Sequence, residues 1–186
     1  KPMFPDKNGS RYYDIYEYDL SLKKEKRLTI GARSISPVFI ESDSSIAFIA
    51  SKDGGQDIYI YDLKDKKIIQ ITDFNNRPII SSLNFNKYDN SLYFDISTHH
   101  YRDIGKISLN DTTVNMVLSN DLWDERNITF SNNGSIIYAD DKSGIFNLYI
   151  IDEKNKKQGY VTNVLGGAFM PNMNQNGKLI YSLYHD

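Results

Sequence analysis

The chain has 186 residues, 40% hydrophobic and 25% charged, with no cysteine and a formal net charge of −2. That length suffices for one domain with a true core, the charge lacks the basic excess of nucleic-acid-binding proteins, and the missing cysteines exclude disulfides and thiolate metal sites. No apolar run approaches the roughly 18 residues of a membrane-spanning helix.

In chain order, the first predicted element is the phrase Asp14-Ile15-Tyr16-Glu17-Tyr18-Asp19-Leu20, with a short strand ending in Thr behind it, Arg27-Leu28-Thr29. A strand starts at Ser36-Pro37-Val38-Phe39, and a polar turn leads into a second, Ser44-Ser45-Ile46-Ala47-Phe48. The phrase then returns as Asp57-Ile58-Tyr59-Ile60-Tyr61-Asp62-Leu63, followed by Gln70-Ile71-Thr72. The cycle repeats through Ser82-Leu83-Asn84-Phe85, Asn90-Ser91-Leu92-Tyr93-Phe94, Asp103-Ile104-Gly105-Lys106-Ile107-Ser108-Leu109 and a degenerate Met116-Val117-Leu118-Ser119. It repeats again through Asn127-Ile128-Thr129-Phe130, Gly134-Ser135-Ile136-Ile137-Tyr138, Asn147-Leu148-Tyr149-Ile150-Ile151-Asp152-Glu153 and Tyr160-Val161-Thr162. Pro171-Asn172-Met173 and Gly177-Lys178-Leu179-Ile180-Tyr181 open one more copy.

The phrase recurs every 43 to 46 residues, and each full unit reads as four short antiparallel strands, which is the period and content of a β-propeller blade. Nowhere do apolar residues recur at helical spacing for a dozen positions, so helical bundles and parallel α/β folds fit poorly. The 14 Tyr and 9 Phe against one Trp agree with pleated, half-buried strands. The expected fold is therefore all-β: a β-propeller of four-stranded antiparallel blades, about four repeats, forming part of a larger propeller. The expected division is a partial blade over 1–30, full blades over 31–73, 74–119 and 120–163, and a partial blade over 164–186. A composite fourth blade made by the two terminal halves is the alternative. The chain starts at Lys1 without a signal-peptide pattern, which reads as a processed or excised piece. Equivalent positions should bury the same face, which predicts a core of Phe48, Tyr59, Phe94, Tyr138, Tyr149 and Tyr181.

The run Ser36-Pro37-x-Phe39, Ile46-Ala47-Phe48-Ile49-Ala50-Ser51, Asp53-Gly54-Gly55, Asp57-Ile58-Tyr59-x-Tyr61-Asp62-Leu63, Gln70-Ile71-Thr72 resembles the TolB-type β-propeller repeat. Related repeats occur in tricorn-like and prolyl-oligopeptidase-type propellers. Phe146-Asn147-Leu148-Tyr149 with the stretch from Thr162 to Pro171 resembles propeller segments of bacterial envelope proteins. The chain departs from the family where the Ser-Pro-Asp-Gly turn is reduced to Asn133-Gly134 and Asn176-Gly177, and where Gly105 replaces the signature Tyr.

Strand order places the loops joining strand two to strand three on the same face as the segments between blades. Binding residues concentrate on loops held by a rigid scaffold, so the candidate binding residues are Arg77, Trp123, Asp124, Arg126 and Phe169, all at the starts of inner strands. Trp and Arg dominate binding hot spots; the plainer reading of Trp123 is blade packing with a solvated charged rim. His99-His100 invites comparison with metal-dependent lyases of this propeller type. Only three His exist, however, the third being His185, and adjacent strand residues point to opposite faces. The turn Glu41-Ser42-Asp43 lacks calcium-loop spacing, and no Gly-x-Ser-x-Gly or phosphate loop occurs. Asn-x-Ser/Thr triplets at Asn8, Asn110, Asn127 and Asn133 are expected by chance in an Asn-rich chain. Lysines in the turns between strands three and four, such as Lys64, Lys66 and Lys67, read as protection of exposed outer strands.

No catalytic residue, metal or cofactor is expected. What the resemblance implies is a non-enzymatic protein- or peptide-binding scaffold module of a bacterial envelope protein, periplasmic or secreted, with no nucleic-acid partner and an oligomeric state left open. The alternative is an accessory propeller of a peptidase or hydrolase whose catalytic residues lie outside this chain.

Overall fold

The computed structural model describes residues 9–40, 44–152 and 154–184. Glu41-Ser42-Asp43, Asn8, Glu153 and His185 lie outside the described residues. Among the described residues every regular element is a strand: β1 (Tyr16–Asp19), β2 (Lys24–Arg27), β3 (Ser34–Ile40), β4 (Ser45–Lys52), β5 (Gly55–Asp62), β6 (Ile68–Gln70), β7 (Ile79–Asn86) and β8 (Ser91–Ser97). They continue as β9 (Asp103–Ser108), β10 (Val114–Leu118), β11 (Glu125–Phe130), β12 (Ile136–Asp140), β13 (Asn147–Asp152), β14 (Lys157–Tyr160), β15 (Ala168–Met173) and β16 (Leu179–Leu183). Three antiparallel sheets have sequential order, β3-β4-β5-β6, β7-β8-β9-β10 and β11-β12-β13-β14; β1-β2 and β15-β16 are two-stranded sheets of their own. The chain divides into two compact units, 1–83 and 84–186, with β7 running across the division.

The second strand of each full sheet is buried on both faces: β4 from Ser45 to Ala50, β8 from Ser91 to Ile96, and all of β12. That explains why these segments are apolar without alternation, since each strand is covered above and below. The fourth strands are the exposed ones, with β6 exposed throughout.

Within the first unit Ile15, Leu28, Ile46, Phe48, Ala50 and Tyr61 form one core, with Tyr59 and Leu63 packed on it. Within the second, Tyr93, Ile104, Ile128, Ile136 and Tyr138 form another, and Ala139, Leu148 and Ala168 a third. Phe48, Phe94 and Tyr138 are buried as their repeat positions demand, and Tyr59 and Tyr149 are half-buried. Tyr181 is not: it is 40% exposed, because among the described residues no third strand pairs with β16 to cover it.

The repeated Asp and Thr have a common task. Thr29 Oγ1 donates to Asp14 Oδ1 (2.8 Å) and accepts from the Ile15 amide (3.0 Å). Thr72 does the same with Asp57 (2.9 Å) and Ile58 (2.8 Å), and Thr162 with Asn147 (3.0 Å) and Leu148 (2.8 Å). One hydroxyl thus joins the start of a third strand to the end of a fourth, where the ladder would otherwise leave polar groups unmatched.

Gly105 has a steric cause. In the ladders Phe48 faces Tyr59, Phe94 faces Gly105 and Tyr138 faces Tyr149. Phe48 stacks on Tyr59 with ring centroids 5.8 Å apart, whereas a Cβ on Gly105 would lie 2.5 Å from the Phe94 ring. The missing side chain gives Phe94 its seat.

Candidate binding sites on the loops

In the first unit, the β4–β5 turn and the segment after β6 enclose a pocket of about 680 Å³. Its walls carry Lys52, Asp53, Asp57, Tyr59, Asp73 and Arg77. Gln56 Oε1 accepts the Ile80 amide (2.6 Å), and Phe74 N–H donates to Asp57 Oδ1 (3.0 Å), which fixes the segment after β6 against β5. Arg77 adopts a left-handed backbone (φ 48°) and its amide donates to the Phe74 carbonyl (3.3 Å). Its side chain crosses the turn: a Cβ on Gly55 would touch its Cγ at 3.6 Å, and one on Gly54 its Nη1 at 3.7 Å. Among the described residues no carboxylate pairs with Arg77, which is exposed. Burial, then the charges of Asp57, Asp73 and Asp53, hold the Tyr59 hydroxyl above its ordinary pKa, so the phenol stays neutral and available as a donor.

In the second unit, the loop before β11 is folded onto its own side chains. Asn120 donates its amide to Asp103 Oδ1 (3.1 Å), and Asn120 Oδ1 accepts the amides of Leu122 (2.8 Å) and Trp123 (2.9 Å). Glu125, 5% exposed, accepts on Oε1 from Trp123 Nε1 (2.9 Å) and Asn120 Nδ2 (2.7 Å), while its Oε2 is buried without a partner. Burial raises the Glu125 pKa to about 7; the hydrogen bonds from Trp123 and Asn120 oppose the rise, and the charges of Asp103 and Asp140 add to it. Burial likewise pushes Asp140 up.

Asp124 ties three segments together. Its amide donates to Asp141 Oδ1 (2.8 Å), its Oδ1 accepts the Arg102 amide (2.8 Å), and its Oδ2 accepts from Arg126 Nη2 (2.5 Å). The Arg126 guanidinium lies 4.0 Å over the Phe146 ring, and Phe146 packs on Phe169 at 5.0 Å. A planar cation over an aromatic face, anchored by a carboxylate, is a rigid and partly desolvated arrangement. Asp124, Arg126 and Phe169 therefore meet through Phe146. Trp123 turns toward Glu125 with Lys142 Nζ 5.0 Å above its ring, and Arg77 belongs to the other unit. Sequence reasoning missed Phe146, Glu125 and Asp57. Glu125 lies between Asp124 and Arg126, which it singled out, and Phe146 and Asp57 were visible only as members of the repeat runs.

His99 and His100 are exposed, with Tyr101, Asp103 and Asp121 around a cleft of about 360 Å³. Among the described residues no group of three or more His, Cys, Asp or Glu is arranged to hold a metal ion.

Sequence and fold comparisons place this geometry. The profile of the dipeptidyl peptidase IV (DPP IV) N-terminal region matches residues 32–149, more than half of the chain. The chain belongs to this family. No curated protein matches it in sequence. Its fold is similar to that of TolB from Acinetobacter baumannii, with a TM-score of 0.72 and 20% identity over 91% of this chain and 42% of that one. It also resembles Kuenenia stuttgartiensis hydrazine synthase (TM-score 0.71, 12% identity, 90% and 31% covered). A puromycin-hydrolyzing peptidase of Mycobacterium tuberculosis is similar as well (0.62, 10%, 78% and 24%). The chain thus spans less than half the length of each. At such identities the likeness establishes the TolB-type β-propeller fold, which serves unrelated proteins.

Proposed function

We propose that the chain is a non-enzymatic propeller module that binds a protein or peptide through its loop pockets, in a bacterial envelope or secreted protein. The observation that carries this is Arg77, exposed and without a carboxylate partner among the described residues, on the wall of the 680 Å³ pocket. Arg126 is the contrast, since its Nη2 donates to Asp124, its plane lies on Phe146, and its Nε is buried without a partner among the described residues. A pocket with convergent polar groups and an unspent Arg is the ordinary form of a recognition site. The envelope location rests on the TolB-type repeat; among the described residues no helix is long and apolar enough to cross a membrane.

The test is selection of peptides from a random library on the immobilised chain, followed by calorimetry. Selected peptides should lose at least about fivefold in affinity with Arg77→Ala, roughly 1 kcal/mol, while the thermal midpoint stays put. No enriched peptide, or an unchanged affinity, overturns the reading.

A second reading is favoured by the family match and by the peptidase among the fold relatives. It makes the chain the accessory propeller of a peptidase or hydrolase whose catalytic residues lie outside it. A hydrolase domain in the same open reading frame selects this reading over the first.

A further inference from the structure

The two copies of the repeat in the first unit treat their leading carboxylate differently. Counting from the shared Thr, Arg27 stands two residues before Thr29 and Gln70 two residues before Thr72. Both side chains make the same first bond: Arg27 Nε donates to the Thr29 carbonyl (2.9 Å), and Gln70 Nε2 to the Thr72 carbonyl (2.7 Å). Arg27 then reaches further. Its Nη2 pairs with Asp14 Oδ2 at 2.6 Å, and the Asp14 side chain is wholly buried. Gln70 ends at its amide. Asp57 keeps the bonds from Thr72 and Phe74 on Oδ1, its Oδ2 takes no hydrogen bond among the described residues, and the side chain stands on the pocket wall. Asp73 and Asp53 line the same pocket.

Resting on the peptide-binding reading of this pocket, we infer that it takes a guanidinium group, the arginine side chain of a peptide partner, in the place that Arg27 fills in the first copy. The part of the frame common to both copies, an Asp bonded by the closing Thr and by a backbone amide, holds a guanidinium in the first copy, where Gly31 and Ala32 amides both bind Asp14; in the second copy the Phe74 amide shares Oδ1 with Thr72, and the second oxygen is left as an acceptor for the planar group. Tyr59 and Phe74, also on the wall, supply surface for the apolar stem of the side chain. Arg77, lying across Gly54 and Gly55 at the turn, is placed for an acceptor elsewhere on the peptide, a carbonyl or a terminal carboxylate. Its guanidinium pairs with none of the three Asp among the described residues.

The test uses the whole chain and three short peptides, Gly-Arg-Gly, Gly-Lys-Gly and Gly-citrulline-Gly, followed by amide chemical shifts. Gly-Arg-Gly should move the amides of Asp57 and of residues 72–77 saturably, Gly-Lys-Gly more weakly, and the neutral citrulline isostere not at all. Gln70→Arg should fill the place from within and weaken Gly-Arg-Gly by at least about tenfold without lowering the thermal midpoint. Asp73→Asn, at an exposed position, is the second variant and should weaken it at least about threefold. Equal binding of citrulline overturns the inference, as does unchanged affinity in Gln70→Arg, or in Asp73→Asn should Gln70→Arg not fold. Absence of saturable shifts up to about 10 mM peptide does the same, since weaker binding carries no specificity. Library-selected peptides that lack Arg yet depend on Arg77 would sink the guanidinium assignment and leave the peptide-binding reading standing.

Discussion

Gly105→Ala should destabilise the protein although it adds a better strand residue, and the sign can be worked from one contact. The new Cβ would lie 2.5, 2.6 and 3.2 Å from Cε2, Cζ and Cδ2 of Phe94. Phe94 is 0% exposed, so its ring moves only by displacing its neighbours. Overpacking of this kind costs about 1–3 kcal/mol. Replacing an interior glycine returns about 0.5–1 kcal/mol of backbone entropy. The net loss should be about 1–2 kcal/mol, which lowers the urea midpoint by roughly 0.5–1 M at an m-value of about 2 kcal/mol/M. The decisive measurement is a cycle with Phe94→Ala, which alone should cost about 3–5 kcal/mol by leaving a cavity. With the ring gone the added methyl has room, so Gly105→Ala should become neutral or stabilising in that background, a coupling of about 1–3 kcal/mol. An unchanged or raised midpoint for Gly105→Ala in the native background would refute the steric account of this glycine.

Phe48→Ala, which empties a fully buried site stacked on Tyr59, should cost about 3–5 kcal/mol in urea unfolding. Thr72→Val should cost about 1–3 kcal/mol by the same assay, because it leaves the Ile58 amide unmatched and removes one of the two hydrogen bonds to Asp57 Oδ1 at nearly constant side-chain volume. Tyr181→Ala, at an exposed position, should change stability by less than about 0.5 kcal/mol. Glu125 binds its proton more tightly folded, near pH 7, than unfolded, near 4.5, so folding is favoured below the lower value and that contribution fades as pH rises to 7. Glu125→Gln should flatten this slope, and Trp123 fluorescence, which reports the Nε1 bond to Glu125, should lose its titration over the same window.

How much of this was legible in the sequence depends on whether a feature recurs. The four-stranded sheets were legible because the phrase and its closing Thr return at a fixed spacing, and the Asp–Thr hydrogen bonds explain why those two residue types do. Gly105 was legible as a departure but not as a contact, since only the cross-strand register sets it against Phe94. The register shifts in β3, β11 and β15 were not legible. They centre on Ser36, Asn127 and Met170, all with positive φ, and three such different side chains leave no pattern to read. Loop residues were harder still. Arg77 and Arg126 both stand where an inter-blade segment leads into an inner strand, yet one crosses a glycine turn and the other lies between Asp124 and Phe146. Those partners come from the surrounding loops, and repeat spacing does not encode them.

The position two before the closing Thr shows where such a repeat is free to diverge. Thr and Asp are held by their shared hydrogen bonds, but the residue at that position only needs to suit what lies beyond. Arg27, with the Gly31 and Ala32 amides, closes over a wholly buried carboxylate; Tyr160 sends its hydroxyl to Asp140 at 3.2 Å and packs edge-on against Tyr149. In that copy Asn147 stands in place of Asp, so there is no charge to neutralise. Gln70 covers nothing. An uncompensated carboxylate is tolerable only while water reaches it, and Asp57 is accordingly half-buried where Asp14 is sealed. The pocket and the half-buried carboxylate thus go together: Gln70 stops at the Thr72 carbonyl, and Asp57 Oδ2 stands on the pocket wall with no hydrogen bond among the described residues.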